Sequence, residues 1–388
     1  MNHSSLTLSR AHRERAARGF TLIEMLVATA LLMLLMLVTV YVLNAVSTID
    51  SSTRAKVDTF REARAGFEVM TRRVSQSMLN TYWDYEFPNN DRSKPPKSYV
   101  RQSELHFISG PTKLGGTAAL LPDAALQGVT HGIFFQSPQG LTTSTAVVSA
   151  NLPNLLNVSG YFVEYTSDVD DRPKFLQSGT PLPPERWRFR LTEFNQGSES
   201  LQVYDTTAAN GRALTWFQKP LKSGDPAIRS TRVMAENVIA LVIRPHRSPN
   251  DPVPPGAPTQ LAPNYFYDTR GYVTLPSDQT ALLTRNQLPP MVEVTMVVLD
   301  ERSAERFQSA LGATPGTTAT ATDKLGLTTG TTGLFVKPST KSSPTTPGEE
   351  RDQYEADLKT LQAKLVDLKM NYRIFSTDVS ILQAKWSE

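Results

Sequence analysis

The chain has no cysteine in 388 residues. That excludes disulfide staples, thiol nucleophiles and Cys-ligated metals, but it leaves the compartment open, since exported bacterial proteins also lack the residue. Histidine is scarce, with five in all and no H-E-x-x-H spacing among them. His3 and His12 fall in the first nineteen residues, and His106, His131 and His246 read as scattered surface positions. No G-x-S-x-G occurs, because "QGSESL" (196–201) fails at its last position. "GPTKLGGT" (110–117) places Thr117 where a phosphate loop needs Lys. With no convergent nucleophile and base, the chain reads as a non-enzyme with no cofactor.

A net charge of either sign is also missing from most of the chain. The total is +3, and the stretch 1–19, with Arg10, Arg13, Arg15 and Arg18 against Glu14, accounts for it. The remainder sums to zero, so no nucleic-acid partner is expected despite a pI near 8.9. What is present is a globular composition, 39% hydrophobic and 20% charged, long enough for two or three domains. Proline stands at 27 residues against a usual share of roughly 5%, which predicts proline-bearing loops. "RPHRSPNDPVPPGAP" (244–258) is expected to be one.

Nineteen residues from Met25 to Leu43 are interrupted only by Thr29, Thr39 and Tyr41. A helix of that length crosses a bilayer core. The run is too long for a secretory signal, and no A-x-A-like site follows it. The small residue comes before it, in "GFTLIE": Gly19, Phe20, Thr21, Leu22, Ile23 and Glu24. Preceded by a basic leader and followed by an apolar helix, this stretch resembles the processing site of type IV prepilins.

The resemblance implies that a membrane aspartyl peptidase cuts after Gly19 and methylates the new N-terminus at Phe20. It also implies assembly through the N-terminal helix with other pilins or pseudopilins, on an inner-membrane assembly platform. Glu24 poses a question that charge answers. A carboxylate just inside a membrane span is costly, by about 2.5–3.5 kcal/mol at a helix centre. The ammonium of Phe20 on a neighbouring subunit would offset it and fix the register between subunits. More Lys and Arg lie on the leader side of the span than on the far side, which places the leader in the cytoplasm and the head in the periplasm.

Beyond the span, Phe60, Ala63, Phe67, Met70, Val74 and Met78 form one apolar stripe on a continuing helix, with "FPNND" (87–91) as its breaker. "YFVEY" (161–165), "WRFRLTEF" (187–194) and "SLQVYD" (200–205) read as successive strands. "NVIALVIRP" (237–245) and "MVEVTMVVLD" (291–300) are the most β-branched strands. Tyr354, Leu358, Leu361, Leu365, Leu368 and Tyr372 recur at 4-3-4-3-4 spacing. That predicts an amphipathic helix lying on the protein's own sheet, or less simply a coiled coil with a partner. Trp83, Tyr85, Trp187 and Trp216 are expected in the core. In "SDVDDRP" (167–173), Asp168, Asp170 and Asp171 begin like a calcium loop, but Arg172 and Pro173 spoil the pattern. A solvated turn is the preferred reading, and no metal is assigned.

The expected fold is α+β and pilin-like: a long N-terminal helix packed on an antiparallel sheet. Its parts are a basic leader (1–19), a transmembrane half-helix (20–46), an amphipathic half (47–85) and a β-rich head (86–311). A Thr/Gly/Pro-rich flexible insertion (312–348), an amphipathic helix (349–370) and a closing strand (371–388) complete it. "AENVIALVIRP", "PPMVEVTMVVLDERSAERF" and "YRIFSTDVSILQAKWS" resemble the large minor pseudopilins and minor pilins. They are most similar to the pilin-like "cassette protein C" group of Verrucomicrobia. The function expected is that of a minor pilin or pseudopilin subunit, initiating or tipping a filament. The alternatives are a filament-displayed adhesin or ligand-binding module and, third, a membrane-anchored periplasmic enzyme.

Overall fold

The computed structural model describes residues 20–112, 120–121, 128–142, 152, 154–169, 172–178, 181–204, 214–222, 230–248, 261–262, 265–271, 284–312, 318–327, 333–336 and 349–384. The chain divides into two compact units, one ending at Arg54 and one beginning at Ala55. A single helix, α1 (Leu22–Ser75), belongs to both. Pro is absent from it and Gly66 is its only Gly, so nothing inside removes a backbone donor or loosens the turn.

In the second unit α1 buries Ala63, Gly66, Phe67, Met70 and Val74, the predicted stripe. Phe60 and Met78 pack partly buried at its ends. The helix stops ten residues sooner than the sequence suggested. Gln76 and Ser77 close it with bonds to the carbonyls of Arg73 and Val74, and the buried Ser77 hydroxyl donates to Val74 as well. Met78 N–H then donates to the Gln136 carbonyl, and the aromatic run that follows prefers a strand, β1 (Tyr82–Glu86).

Among the described residues β1 pairs with β2 (Ser98–Gln102) alone, in a two-stranded ribbon. The main sheet has six antiparallel strands: β3 (Ile108–Pro111), β4 (Gly128–Pro138), β5 (Leu156–Ser167), β6 (Trp187–Gln196), β7 (Thr231–Glu236) and β9 (Tyr267–Asp268). Their order is β7-β6-β5-β4-β3-β9. A second sheet, ordered β11-β10-β8, joins β8 (Val238–His246), β10 (Met291–Leu299) and β11 (Tyr372–Ser380). Residues 244–246, expected in a loop, are the last three of β8. Pro245 is tolerated there because it stands at a strand end, opposite Val292. Ser200–Tyr204, expected as a strand, contains no strand: Ser198–Ser200 is a 3-10 turn and the chain bends on.

The two sheets meet at a bulge. The β4–β5 register slips between Val129 and Gly132, and Thr130 takes a φ of 59°. The freed side chains turn to β8. Thr130 Oγ1 accepts from Leu241 N–H at 2.9 Å, and His131 Nδ1 accepts from Ile243 N–H at 3.0 Å. An edge that would otherwise carry unpaired donors in the core is thus closed by two side chains.

Among the described residues, and apart from a single helical turn at Lys174–Gln177, four further helices cover this framework. α2 (Thr215–Leu221) buries Trp216 and Phe217, and Phe217 stacks on Phe134 with centroids 4.1 Å apart. Gly160 opposes Phe134 across the ladder, where a Cβ would stand 2.2 Å from its ring. Only glycine admits that ring. α3 (Glu301–Leu311) follows β10 directly, capped by the Asp300 carboxylate on Ser303 N–H at 2.8 Å. α4 (Thr318–Leu325) lies inside the stretch expected to be a flexible insertion. Ala321, Leu325, Leu327 and Phe335 are buried in the common core, so a Thr- and Gly-rich composition concealed four anchoring apolar groups. α5 (Glu349–Asp367) buries Tyr354, Leu361 and Leu365. The Tyr354 hydroxyl meets Thr295 of β10 at 2.7 Å.

A buried ionic cluster ties α1 to the six-stranded sheet. Glu193 of β6 is almost fully buried. It takes Arg73 of α1 and the Tyr161 hydroxyl on one oxygen, and Arg232 at 2.8 Å on the other. Arg73 is half-buried rather than a spectator between stripe positions. Phe67 adds an aromatic contact to Phe375 of β11, with centroids 6.0 Å apart.

Candidate functional site

The N-terminal segment is built for an apolar surrounding. From Leu22 to Leu43 its large apolar side chains are exposed, and the helix is long and apolar enough to cross a membrane. The polar interruptions satisfy themselves: Thr29 Oγ1 donates to the Leu26 carbonyl at 3.0 Å and Thr39 Oγ1 to Leu35 at 2.7 Å. Charges resume one side chain at a time after Asn44, with Asp50 and Arg54 bridged at 2.9 Å.

At the start of α1, Thr21 and Glu24 form a reciprocal cap. Thr21 Oγ1 accepts from Glu24 N–H at 3.3 Å, and Glu24 Oε2 accepts from Thr21 N–H at 3.1 Å and from its hydroxyl at 3.2 Å. Two donors that open the helix are thereby satisfied by side chains three residues apart. The sequence carries the signal as T-x-x-E before an apolar run, so Thr21 is a helix cap as well as a member of the G-F-T-L-I-E stretch. Phe20 is exposed just ahead of the cap. Gly19 and the leader 1–19 lie outside the described residues. Within one chain, Glu24 therefore already has partners and sits at the helix start rather than at its middle.

The remaining candidates sort by what occupies them. Asp168 is taken by its own loop: Arg172 reaches both carboxylate oxygens at 3.1 and 2.8 Å, and Arg186 N–H adds a bond at 2.9 Å. Burial alone would raise its pKa, but those bonds hold it below the ordinary value. Asp170 and Asp171 lie outside the described residues. His106 and His131 are fully buried, not surface residues as expected, and each has both ring nitrogens engaged.

His106 Nδ1 accepts from Trp216 Nε1–H at 2.9 Å and its Nε2 faces Asp268 at 2.7 Å. The pair resembles a catalytic dyad in composition, but no ring nitrogen is left for a substrate. His131 Nδ1 accepts from Ile243, so the neutral ring carries its proton on Nε2, donated to the Phe335 carbonyl at 2.7 Å. Burial drives its pKa down to about 4.

Trp216 is in the core and Trp187 partly so, but Trp83 and Tyr85 are exposed. They share one face of the β1–β2 ribbon with Tyr99 and Arg101, their cross-strand partners. Among the described residues the ribbon is joined by no third strand, and two strands alone offer little core in which to bury them. Tyr85 and Tyr99 have centroids 4.5 Å apart and bonded hydroxyls.

Residues 15–40 match the family described as the prokaryotic N-terminal methylation motif. Neither the curated proteins nor the solved structures offer a match to the chain. The match spans the cap, Phe20, Glu24 and most of the apolar stretch. It supports a type IV pilin-like N-terminus, handled by a prepilin peptidase and anchored in a membrane by one helix. Antiparallel sheets following a long apolar helix agree with the α+β class.

Proposed function

We propose that the protein is a minor pilin or pseudopilin subunit and not an enzyme. It is trimmed after Gly19, methylated at Phe20, and built into a filament of the type II secretion or type IV pilus kind. The observation that carries this reading is the methylation motif over 15–40, placed directly on the start of an exposed apolar helix. Before assembly the head faces the periplasm and α1 anchors the subunit in the inner membrane. A head of more than 300 residues would crowd a polymer at every position, so this subunit belongs at sparse or terminal sites. In the filament Glu24 exchanges its Thr21 cap for the Phe20 ammonium of a neighbour.

Mass spectrometry of the membrane-extracted protein tests the first step. The expected N-terminus is N-methylated Phe20, and Gly19→Val should leave the precursor uncut. An intact Met1 terminus, or cleavage beyond residue 43, overturns the proposal. Glu24→Gln separates processing from assembly, since it should still be cut but be lost from sheared filaments.

A second reading, a filament-displayed adhesin or ligand-binding head, is favoured by the exposed Trp83, Tyr85 and Tyr99. It shares the same N-terminus, so only ligand binding that is lost in Trp83→Ala distinguishes it.

A further inference from the structure

Three adjacent strands bring three metal-ligating side chains to one spot. His246 ends β8, Glu293 lies in β10 and Asp378 in β11. Glu293 stands directly across from Asp378 on one side and Arg244 on the other, with His246 two residues beyond Arg244. Residues opposite on a ladder, or two apart on a strand, share a face of the sheet. One ligand atom from each of the three lies within 4.8 Å of the others. No local pattern announces the cluster, because 132 residues separate His246 from Asp378.

The histidine's orientation points to a cation. Its Nδ1 is 2.8 Å from the Arg247 carbonyl, which can only accept, so Nδ1 bears a proton. In a neutral imidazole Nε2 then presents a lone pair, and it faces Asp378 Oδ1 at 3.2 Å. Acceptor opposes acceptor, with the Glu293 carboxylate beside them. Arg244, at 2.8 Å from Glu293 Oε2, offsets one of the two negative charges and orients that carboxylate. One negative charge remains. A proton can join only two of these atoms, whereas three convergent ligands suit an ion.

We propose that His246, Glu293 and Asp378 form a site for a divalent cation of the zinc class, stapling β11 to β8 across β10. Imidazole nitrogen and carboxylate oxygen are both ordinary zinc ligands, and three of them leave a fourth tetrahedral position for water. Calcium would want six to eight oxygens. Around zinc, ligand atoms at ~2.0–2.2 Å from the metal stand roughly 3.3 Å apart. The His246–Asp378 pair has that spacing already, and rotation of Glu293 closes the rest. Partial exposure of all three side chains lets an ion in. β11 is the outer strand of its sheet and is only lightly buried along its length, so a staple there holds an element that packing holds weakly. The inference does not depend on the filament reading.

The test uses the untagged full-length chain in detergent micelles, stripped with a chelator and titrated with zinc chloride against a chromophoric competitor. One zinc per chain is expected, with a rise in Tm and slower amide exchange along β11. His246→Gln and Asp378→Asn should each lose the zinc and the Tm rise while keeping the metal-free Tm of the wild type. Asp367→Asn, on α5, should change neither. Absence of zinc binding in the wild type, binding of calcium in preference to zinc, or zinc retained by both variants would each overturn the proposal. Titration of His246 as an ion pair with Asp378, without metal uptake, would do the same.

Discussion

Acid should weaken this fold through His131, by an amount that follows from its burial. The ring accepts from Ile243 and donates to Phe335, so a second proton would have to charge a fully buried imidazole, a cost that the Ile243 and Phe335 carbonyls offset only in part. That is why its pKa sits at about 4 rather than 6.5. Between those values the unfolded chain binds a proton that the folded chain refuses, so stability falls as pH drops through the window and levels off below it. The slope from this one residue approaches about 1.4 kcal/mol per pH unit, and the whole window is worth about 3 kcal/mol. By pH 4.5 most of it is already lost. His106 is shifted in the same direction by burial, with Asp268 opposing, so the wild-type slope contains both residues and a comparison is needed. His131→Asn keeps an acceptor for Ile243 and removes the titration. Urea unfolding of the full chain in detergent, followed by tryptophan fluorescence from pH 7 to 4.5, should give a variant that is weaker at pH 7. Its stability should nevertheless decline less on acidification, by about 2 kcal/mol. Equal declines in the two proteins would refute the argument.

Three other outcomes can be checked by unfolding titrations or labelling. Arg73→Ala leaves Glu193 buried with Arg232 and Tyr161 as partners, and should cost about 1–3 kcal/mol; a neutral result would mean that the α1 anchor is apolar alone. Gly160→Val drives a side chain into the Phe134 ring and should cost at least about 1–3 kcal/mol, with near-ultraviolet dichroism changed by the displaced Phe134–Phe217 stack. Immunogold on sheared filaments should mark ends or scattered points, and even decoration along the shaft would contradict a minor subunit.

What the sequence disclosed, and what it hid, divides along local and non-local causes. The stripe from Phe60 to Val74 was readable because helical burial repeats with the chain's own period. Strands β8 and β10 announced themselves as β-branched runs. The end of α1 was missed because polar residues such as Ser77 and Asn80 permit a helix, and the Gln136 carbonyl that takes Met78 N–H lies far along the chain. The stretch 312–348 was read by composition, which averages away Leu325, Leu327 and Phe335. His106 and His131 read as surface because imidazole is usually wet. Their burial depends on Trp216, Asp268, Ile243 and Phe335, partners that no local pattern announces. At the N-terminus the opposite holds. The T-x-x-E cap and the G-F-T-L-I-E stretch are both local, and both were on view.

The bulge in β4 changes how substitutable the core is. Two strands joined by a backbone ladder ask little of their side chains beyond size and polarity, because the bonds belong to the peptide groups that every residue carries. Where β8 meets β4, the bonds belong to a threonine hydroxyl and an imidazole. Position 130 must supply an acceptor on a residue at positive φ. Position 131 must supply one acceptor and one donor on opposite sides of a ring-sized group. Tolerance that would be spread over nine strand residues is therefore concentrated into a two-letter requirement. In a deep mutational scan these two sites should stand out as narrow gates between permissive neighbours.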